Sequence, residues 1–193
     1  MSDLQCAARV LVARHAEAAF VEDDFSDEGG SLTSAGRAQA EALAEGLAAA
    51  RVRAIWCSDS ARSVQTAEIV AARLGVPVTV RKTLREVDVG ELAGHPFDKA
   101  RLREMADRWR AGDLDAGFPG GESGREVLER YRAQLEEIAD LHRGESVLVV
   151  AHETALGLVV PALAGHAAAV RDWDNTAVLA LSGDADGWVL DSP

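Results

Sequence analysis

Cysteine is scarce in this 193-residue chain. Its two cysteines, Cys6 and Cys57, show no short metal-ligand spacing, which excludes a disulfide framework and a cysteine-based zinc site. Long apolar runs are missing as well: none approaches the roughly 18 residues that a membrane span requires. The opening "MSDLQCAARV" lacks the basic and continuously apolar regions of a secretory signal, so a cytoplasmic location and no membrane partner are expected. Positive charge is in short supply, with a formal net charge of -12, which argues against a sequence-independent grip on nucleic acid or anionic lipid. Arginine far outnumbers lysine, a bias that fits genome base composition better than function. Internal repeats, linkers and low-complexity tracts are absent, and residues 1–193 read as one domain. A small substrate or a protein partner is expected, and a homodimer stays open.

Apolar residues make up 48% of the chain, enough for one sizeable core. Short apolar runs alternate with stretches of helical period, which predicts an α/β fold: a three-layer sandwich with a largely parallel central sheet and helices on both faces. "RVLVA", "RAIWC", "VPVTV" and "SVLVVA" are β-branched and short, and they read as buried strands. Thr33 is an expected cap for a helix with Ala40, Leu43, Ala44 and Leu47 on one face. Ser60 is an expected cap for a second, with Val64, Ala67, Ala71 and Leu74 inward and a stop at Gly75 and Pro77. The third starts at a capping box, Ser123 with Glu126, followed by Leu128, Tyr131, Leu135 and Ile138 at helical spacing. The acidic "EDDFSDEGG" cannot bury itself and is expected as a mobile surface loop.

In open α/β sheets, ligands bind beyond the carboxyl ends of the strands. The first strand ends in Arg14 and His15, the second leads to Ser58 and Arg62, and the last of the four delivers His152. The loop after "VPVTV" adds Glu86. Two histidines, two arginines and a carboxylate at one rim suit phosphoryl transfer. Arginine binds phosphate oxygens bidentately at any working pH, a neutral imidazole nitrogen can attack phosphorus, and a carboxyl can give and take the proton. The cations that neutralise charge come from the protein, so no metal or cofactor is called for. "CSDSARS" approaches the Cys-x5-Arg loop of cysteine-dependent phosphatases but is one residue short, so Cys57 reads as a small apolar residue, and Cys6 likewise. His95, His142 and His166 read as solvated, and Trp56, Trp109 and Trp188 as packing residues.

The motifs in order resemble those of the histidine phosphatase superfamily, also called phosphoglycerate mutase-like. "LVARHAEA" is similar to its Arg-His-Gly motif, "LTSAGRAQA" to its Leu-Thr-x-x-Gly-x-x-Gln-Ala segment, and "CSDSARSVQTA" to its Ser-x-x-x-Arg-x-x-x-Thr-Ala segment. "LREVDVGELAG", "PGGES" and "VVAHET" resemble its Leu-x-Glu loop, Gly-Gly-Glu-Ser turn and second-histidine segment. The resemblance implies that His15 is the phosphorylated nucleophile, that Arg14, Arg62 and His152 form the phosphate pocket, and that Glu86 donates the proton. It also implies that Asn175 and Thr176, beside Trp173, support the site. The expected activity is metal-independent hydrolysis of phosphomonoesters of small metabolites. Protein phosphohistidine phosphatase or mutase-like activity is the alternative, and a catalytically weak binding module on the same fold is a third. Three positions differ from the family pattern: Ala16 and Glu153 stand where glycine is common, and Val21 where mutases often carry asparagine. A carboxylate at Glu153 is expected to repel phosphate.

Overall fold

The structure is a computed structural model that describes residues 6–19, 24–25, 30–165, 173–184 and 187–191. In chain order the strands are β1 (Ala8–Arg14), β2 (Ala18–Ala19), β3 (Ser31–Leu32), β4 (Val52–Cys57), β5 (Val78–Val80), β6 (Ser146–Ala151), β7 (Val178–Asp184) and β8 (Gly187–Leu190). The α-helices are α1 (Ser34–Gly46), α2 (Ala61–Leu74), α3 (Lys99–Arg110), α4 (Gly124–Leu141) and α5 (Glu153–Ala164). Six strands form one sheet in the order β5-β4-β6-β1-β7-β8, and β2 pairs with β3 in a separate ribbon. β5, β4, β6 and β1 run parallel, whereas β7 and β8 add antiparallel to the β1 side.

The apolar runs are continuous because the sheet is buried on both faces. Along β1, Val10 and Val12 join a core with Tyr131, Leu135 and Ile138 of α4 and with Leu156 and Val159 of α5. Leu11 and Ala13 point the other way, into a core with Leu43 and Ala44 of α1 and with Ala67 and Val70 of α2. This is the three-layer α/β arrangement read from the alternation of runs, with β5 shorter than "VPVTV" suggested. Among the described residues no helix is long and apolar enough to cross a membrane.

Local signals explain most helix ends. Thr33 Oγ1 accepts from the Gly36 N–H at the start of α1, both bonds of the Ser123–Glu126 capping box are made, and Gly75 ends α2 with φ at +70°. Ser60 is the N-cap residue of α2, as expected, with extended backbone, but its side chain makes no cap bond. The acidic loop also needs correcting. Phe25 is buried, its N–H bonds to the His95 carbonyl and its own carbonyl accepts from the Gly94 N–H, so this part of the loop is fastened down. The remaining acidic residues of the stretch, Glu22, Asp23, Asp27 and Glu28, lie outside the described residues, as do Val21 and His166.

Candidate active site

The carboxyl ends of β1, β4 and β6 lie side by side, and the side chains just beyond them meet. His15 follows β1, Ser58 follows β4, His152 follows β6 as the cap residue of α5, and Arg62 sits in the first turn of α2. All four are buried. The imidazoles of His15 and His152 are 5.3 Å apart between centroids. Arg62 lies against both: its Nε is 3.2 Å from His15 Nε2 and its Nη2 is 3.3 Å from His152 Nδ1.

Hydrogen bonds settle the tautomers. His15 Nδ1 is 2.8 Å from the Ala16 carbonyl, which can only accept, so Nδ1 carries the proton and Nε2 a lone pair. His152 faces an Arg62 donor at Nδ1, so its proton lies on Nε2, which donates to Ser58 Oγ at 2.7 Å. Burial, with the positive charges of Arg62 and Arg14 beside it, lowers the pKa of His15 to about 3, although its bond to the Ala16 carbonyl acts the other way. Burial, with Arg62 next, also takes His152 well below the usual imidazole range. Both rings are therefore neutral at ordinary pH.

The backbone around His15 is held from three sides. Its N–H donates to the Ala151 carbonyl, its carbonyl accepts from Asn175 Nδ2 at 2.9 Å, and the next N–H, of Ala16, donates to Thr66 Oγ1 at 3.0 Å. Thr176 has a left-handed backbone with φ at +60°; its N–H bonds to the Arg14 carbonyl and its hydroxyl donates to the Asn175 carbonyl. Asn175 and Thr176 thus brace the backbone of Arg14 and His15 by bonding to their carbonyls. Ala16 has no positive φ, so a methyl group is accommodated where glycine is common, and it packs with Leu32 and Ala40. Gly36 of "LTSAGRAQA" has a steric reason: a Cβ there would lie 2.0 Å from the Glu17 carbonyl oxygen.

Glu86 reaches the site across the first turn of α5. Its Oε1 accepts from the N–H groups of Val87 and Ala155 at 2.9 and 2.8 Å, and its Oε2 accepts from Thr154 N–H at 3.0 Å. The residue as a whole is half-buried, but its carboxyl is enclosed, and that burial raises its pKa from the ordinary glutamate value against the pull of the three N–H groups and Arg62. Oε2 takes one bond where Oε1 takes two, which leaves Oε2 with the site for a transferable proton.

Residues not singled out by sequence reasoning build the support for this loop. Arg130 of α4 donates to the carbonyls of Thr83, Arg85 and Glu86 and pairs with Glu122 through Nε at 2.6 Å. Glu122 also accepts from the Asp88 N–H, so the "PGGES" turn and the Glu86 loop are stapled together. A Cβ on Gly121 would lie 2.3 Å from the Asp88 carbonyl oxygen, which explains a glycine at that position. On a helix, Arg130 looks like one more charged surface residue, and only its spacing after "PGGES" could have marked it.

Several individual expectations change. Glu153 does not stand alone: its Oε2 is 2.9 Å from Nη1 of Arg14. Burial, with Glu68 and Asp59 adding negative charge nearby, pushes the Cys57 thiol up to about 12, consistent with a packing residue, whereas Cys6 is exposed. His95 is exposed, but His142 is partly buried, accepting from Trp56 Nε1 at 3.3 Å and lying 3.0 Å from Glu145. Trp56, Trp109 and Trp188 are core residues as expected. Among the described residues no three His, Cys, Asp or Glu side chains are gathered in a way that could hold a metal ion.

Comparison with known proteins points the same way. Residues 10–193 match the model of a family described as "Histidine phosphatase superfamily (branch 1)". The chain is 34% identical over 163 residues to a protein of Salmonella choleraesuis named probable phosphoglycerate mutase GpmB, covering 81% of this chain and 75% of that one. Among solved structures, the mycobacterial glucosyl-3-phosphoglycerate phosphatase in complex with VO3 superposes with a TM-score of 0.78 at 27% identity, over 96% of this chain and 98% of that one. Bacillus stearothermophilus YhfR superposes with a TM-score of 0.77 at 27% identity, over 95% of each chain.

Proposed function

This chain belongs to the histidine phosphatase superfamily, branch 1, and from that premise we propose that it hydrolyses phosphomonoesters of small metabolites through a phosphohistidine on His15, without a metal ion. The observation that carries the reading is the state of His15: a neutral ring whose Nδ1 proton is tied to the Ala16 carbonyl and whose Nε2 lone pair lies at the Arg62 guanidinium.

The phosphoryl group of the substrate binds between Arg62, Arg14 and His152, where the arginines supply positive charge to the equatorial oxygens. His15 Nε2 attacks phosphorus as the P–O bond to the leaving group breaks, and the leaving oxygen takes the proton of Glu86 Oε2. A water then attacks the phosphohistidine and gives its proton to Glu86, which restores the acid. The P–N bond breaks, and inorganic phosphate and neutral His15 result. The raised pKa of Glu86 keeps a larger fraction protonated toward neutral pH than an ordinary glutamate would have.

The test is turnover of p-nitrophenyl phosphate in the presence of a chelator, with rapid quench for an acid-labile, base-stable phosphoryl label. Wild type is expected to turn over and to carry the label on His15; unchanged activity in His15→Ala, or label on Cys57, overturns the reading. The likeness to a probable phosphoglycerate mutase favours a second reading, transfer between positions of a phosphoglycerate. Exchange of the phosphoryl group between acceptor hydroxyls at a rate above hydrolysis would establish it.

A further inference from the structure

Glu153 is one residue beyond His152, in the first turn of α5, and its carboxylate is paired with Arg14. The same Nη1 of Arg14 donates to the Trp173 carbonyl at 2.5 Å, while Arg14 Nε is buried with no hydrogen-bond partner among the described residues. In the resting protein, then, an oxygen pair made of one carbonyl and one carboxylate meets Arg14. These are the kinds of ligand that a phosphoryl group would otherwise supply. The two oxygens differ in their freedom to leave. The Trp173 carbonyl is backbone beside a fully buried indole, whereas the Glu153 side chain is 38% exposed and has rotatable bonds leading to solvent.

We propose that Glu153 is a specificity-determining residue that holds Arg14 in the absence of substrate and competes with the phosphoryl group for it. The inference rests on the reading of this pocket as a phosphate site. A phosphate that enters must turn the carboxylate away from Arg14 and then sit beside a like charge, so every anion is bound more weakly than two free arginines would bind it. An ester whose leaving group makes uncharged contacts offsets this loss elsewhere on its surface. Inorganic phosphate has no such contacts, and a substrate with a second anionic group meets the repulsion twice. The favoured substrate class is therefore a monoester whose remainder carries no negative charge. Return of Glu153 to Arg14 after hydrolysis expels the product, which suits net hydrolysis better than retention of phosphate for a second transfer.

The experiment is calorimetric titration of inorganic phosphate into wild type, E153Q and E153D at low ionic strength, with p-nitrophenyl phosphate turnover measured on the same preparations. Glutamine keeps the size and an oxygen acceptor for Arg14 but removes the charge. E153Q is expected to bind phosphate on the order of tenfold more tightly than wild type, a moderate factor because the pair is partly solvated. The gap should narrow as salt rises. E153D keeps the charge and should stay within about threefold of wild type. Equal or weaker phosphate binding by E153Q overturns the inference, because a residue that merely positions Arg14 would lose affinity when altered. Turnover by wild type with no gain in E153Q sinks the inference alone; a gain in E153Q with no turnover by wild type sinks the hydrolase reading alone. No phosphate binding by any of the three proteins, each shown folded by circular dichroism, removes both.

Discussion

Replacing His15 by asparagine should make the protein less sensitive to acid. Burial lowers the His15 pKa from 6.5 to about 3, so the folded protein leaves it neutral while the unfolded chain protonates it. The stability tied to that difference is fully present above the unfolded pKa of 6.5 and is lost as pH falls toward 3. One pKa unit corresponds to about 1.4 kcal/mol, so the full window is worth about 5 kcal/mol, and the part between pH 7 and pH 5 about 2 kcal/mol. His152 acts in the same direction, whereas the raised Glu86 acts in the opposite one, since a folded state that protonates first gains stability as pH falls. Subtracting the two proteins cancels Glu86, and of His152 leaves only the part of its shift that the charge of His15 causes, which ranks behind burial and Arg62. Urea unfolding of wild type and His15→Asn from about pH 7.5 to about pH 5 should give a difference that moves in favour of the variant by about 2 kcal/mol, whatever the constant offset from lost contacts with Arg62. Parallel curves would refute a neutral, buried His15 and with it the state on which the proposed nucleophilic attack depends.

Glu86→Gln should lower kcat for alkyl phosphates at least tenfold more than for p-nitrophenyl phosphate, whose leaving group needs little protonation; an equal fall on both, in steady-state assays, would assign Glu86 a packing role. Arg130→Met should cost on the order of 3 kcal/mol in urea unfolding, because Glu122 and the carbonyls of Thr83, Arg85 and Glu86 lose their donor. Adding Glu122→Gln to that variant should recover part of the loss, and no recovery would speak against a coupled pair. Gly36→Ala should destabilise by about 2 kcal/mol or more in thermal unfolding, since its Cβ would overlap the Glu17 carbonyl; a neutral effect would show that the loop after His15 yields freely.

The strands that bear the site were legible because each is buried on both faces and stops at a polar residue: β1 at Arg14, β4 before Ser58 and β6 before His152. Helix α4 was legible through its capping box. Helix α5 was not, since "ETALGLVVPALA" is apolar nearly all round and carries Gly157 and Pro161, residues that ordinarily argue against a helix. Helix α3 failed for the converse reason, with Trp109 its only buried residue and charges over most of its length. At the site, the meeting of His15, Arg62 and His152 was legible without knowing the strand order, because it needs only that three parallel strands end on one edge. The pairing of Arg14 with Glu153 and the clasp of Glu86 by Thr154 and Ala155 depend on how α5 leaves β6, which no local pattern encodes.

β1 has a partner on each edge, with β6 on one side and β7 on the other over most of its length. Its amides can exchange with deuterium from the solvent only when the sheet itself opens, so Val10 to Arg14 belong to the slowest-exchanging class in the molecule. The segment 90–98 is mostly exposed and is bonded chiefly within its own turns and to Phe25, so it is expected to exchange earlier than β1. The strand that ends in Arg14 and His15 and the exposed segment 90–98 are therefore expected at opposite ends of the local-stability scale. Sequence drift in that segment can proceed without loosening the register that β6 and β7 impose on Arg14 and its neighbours.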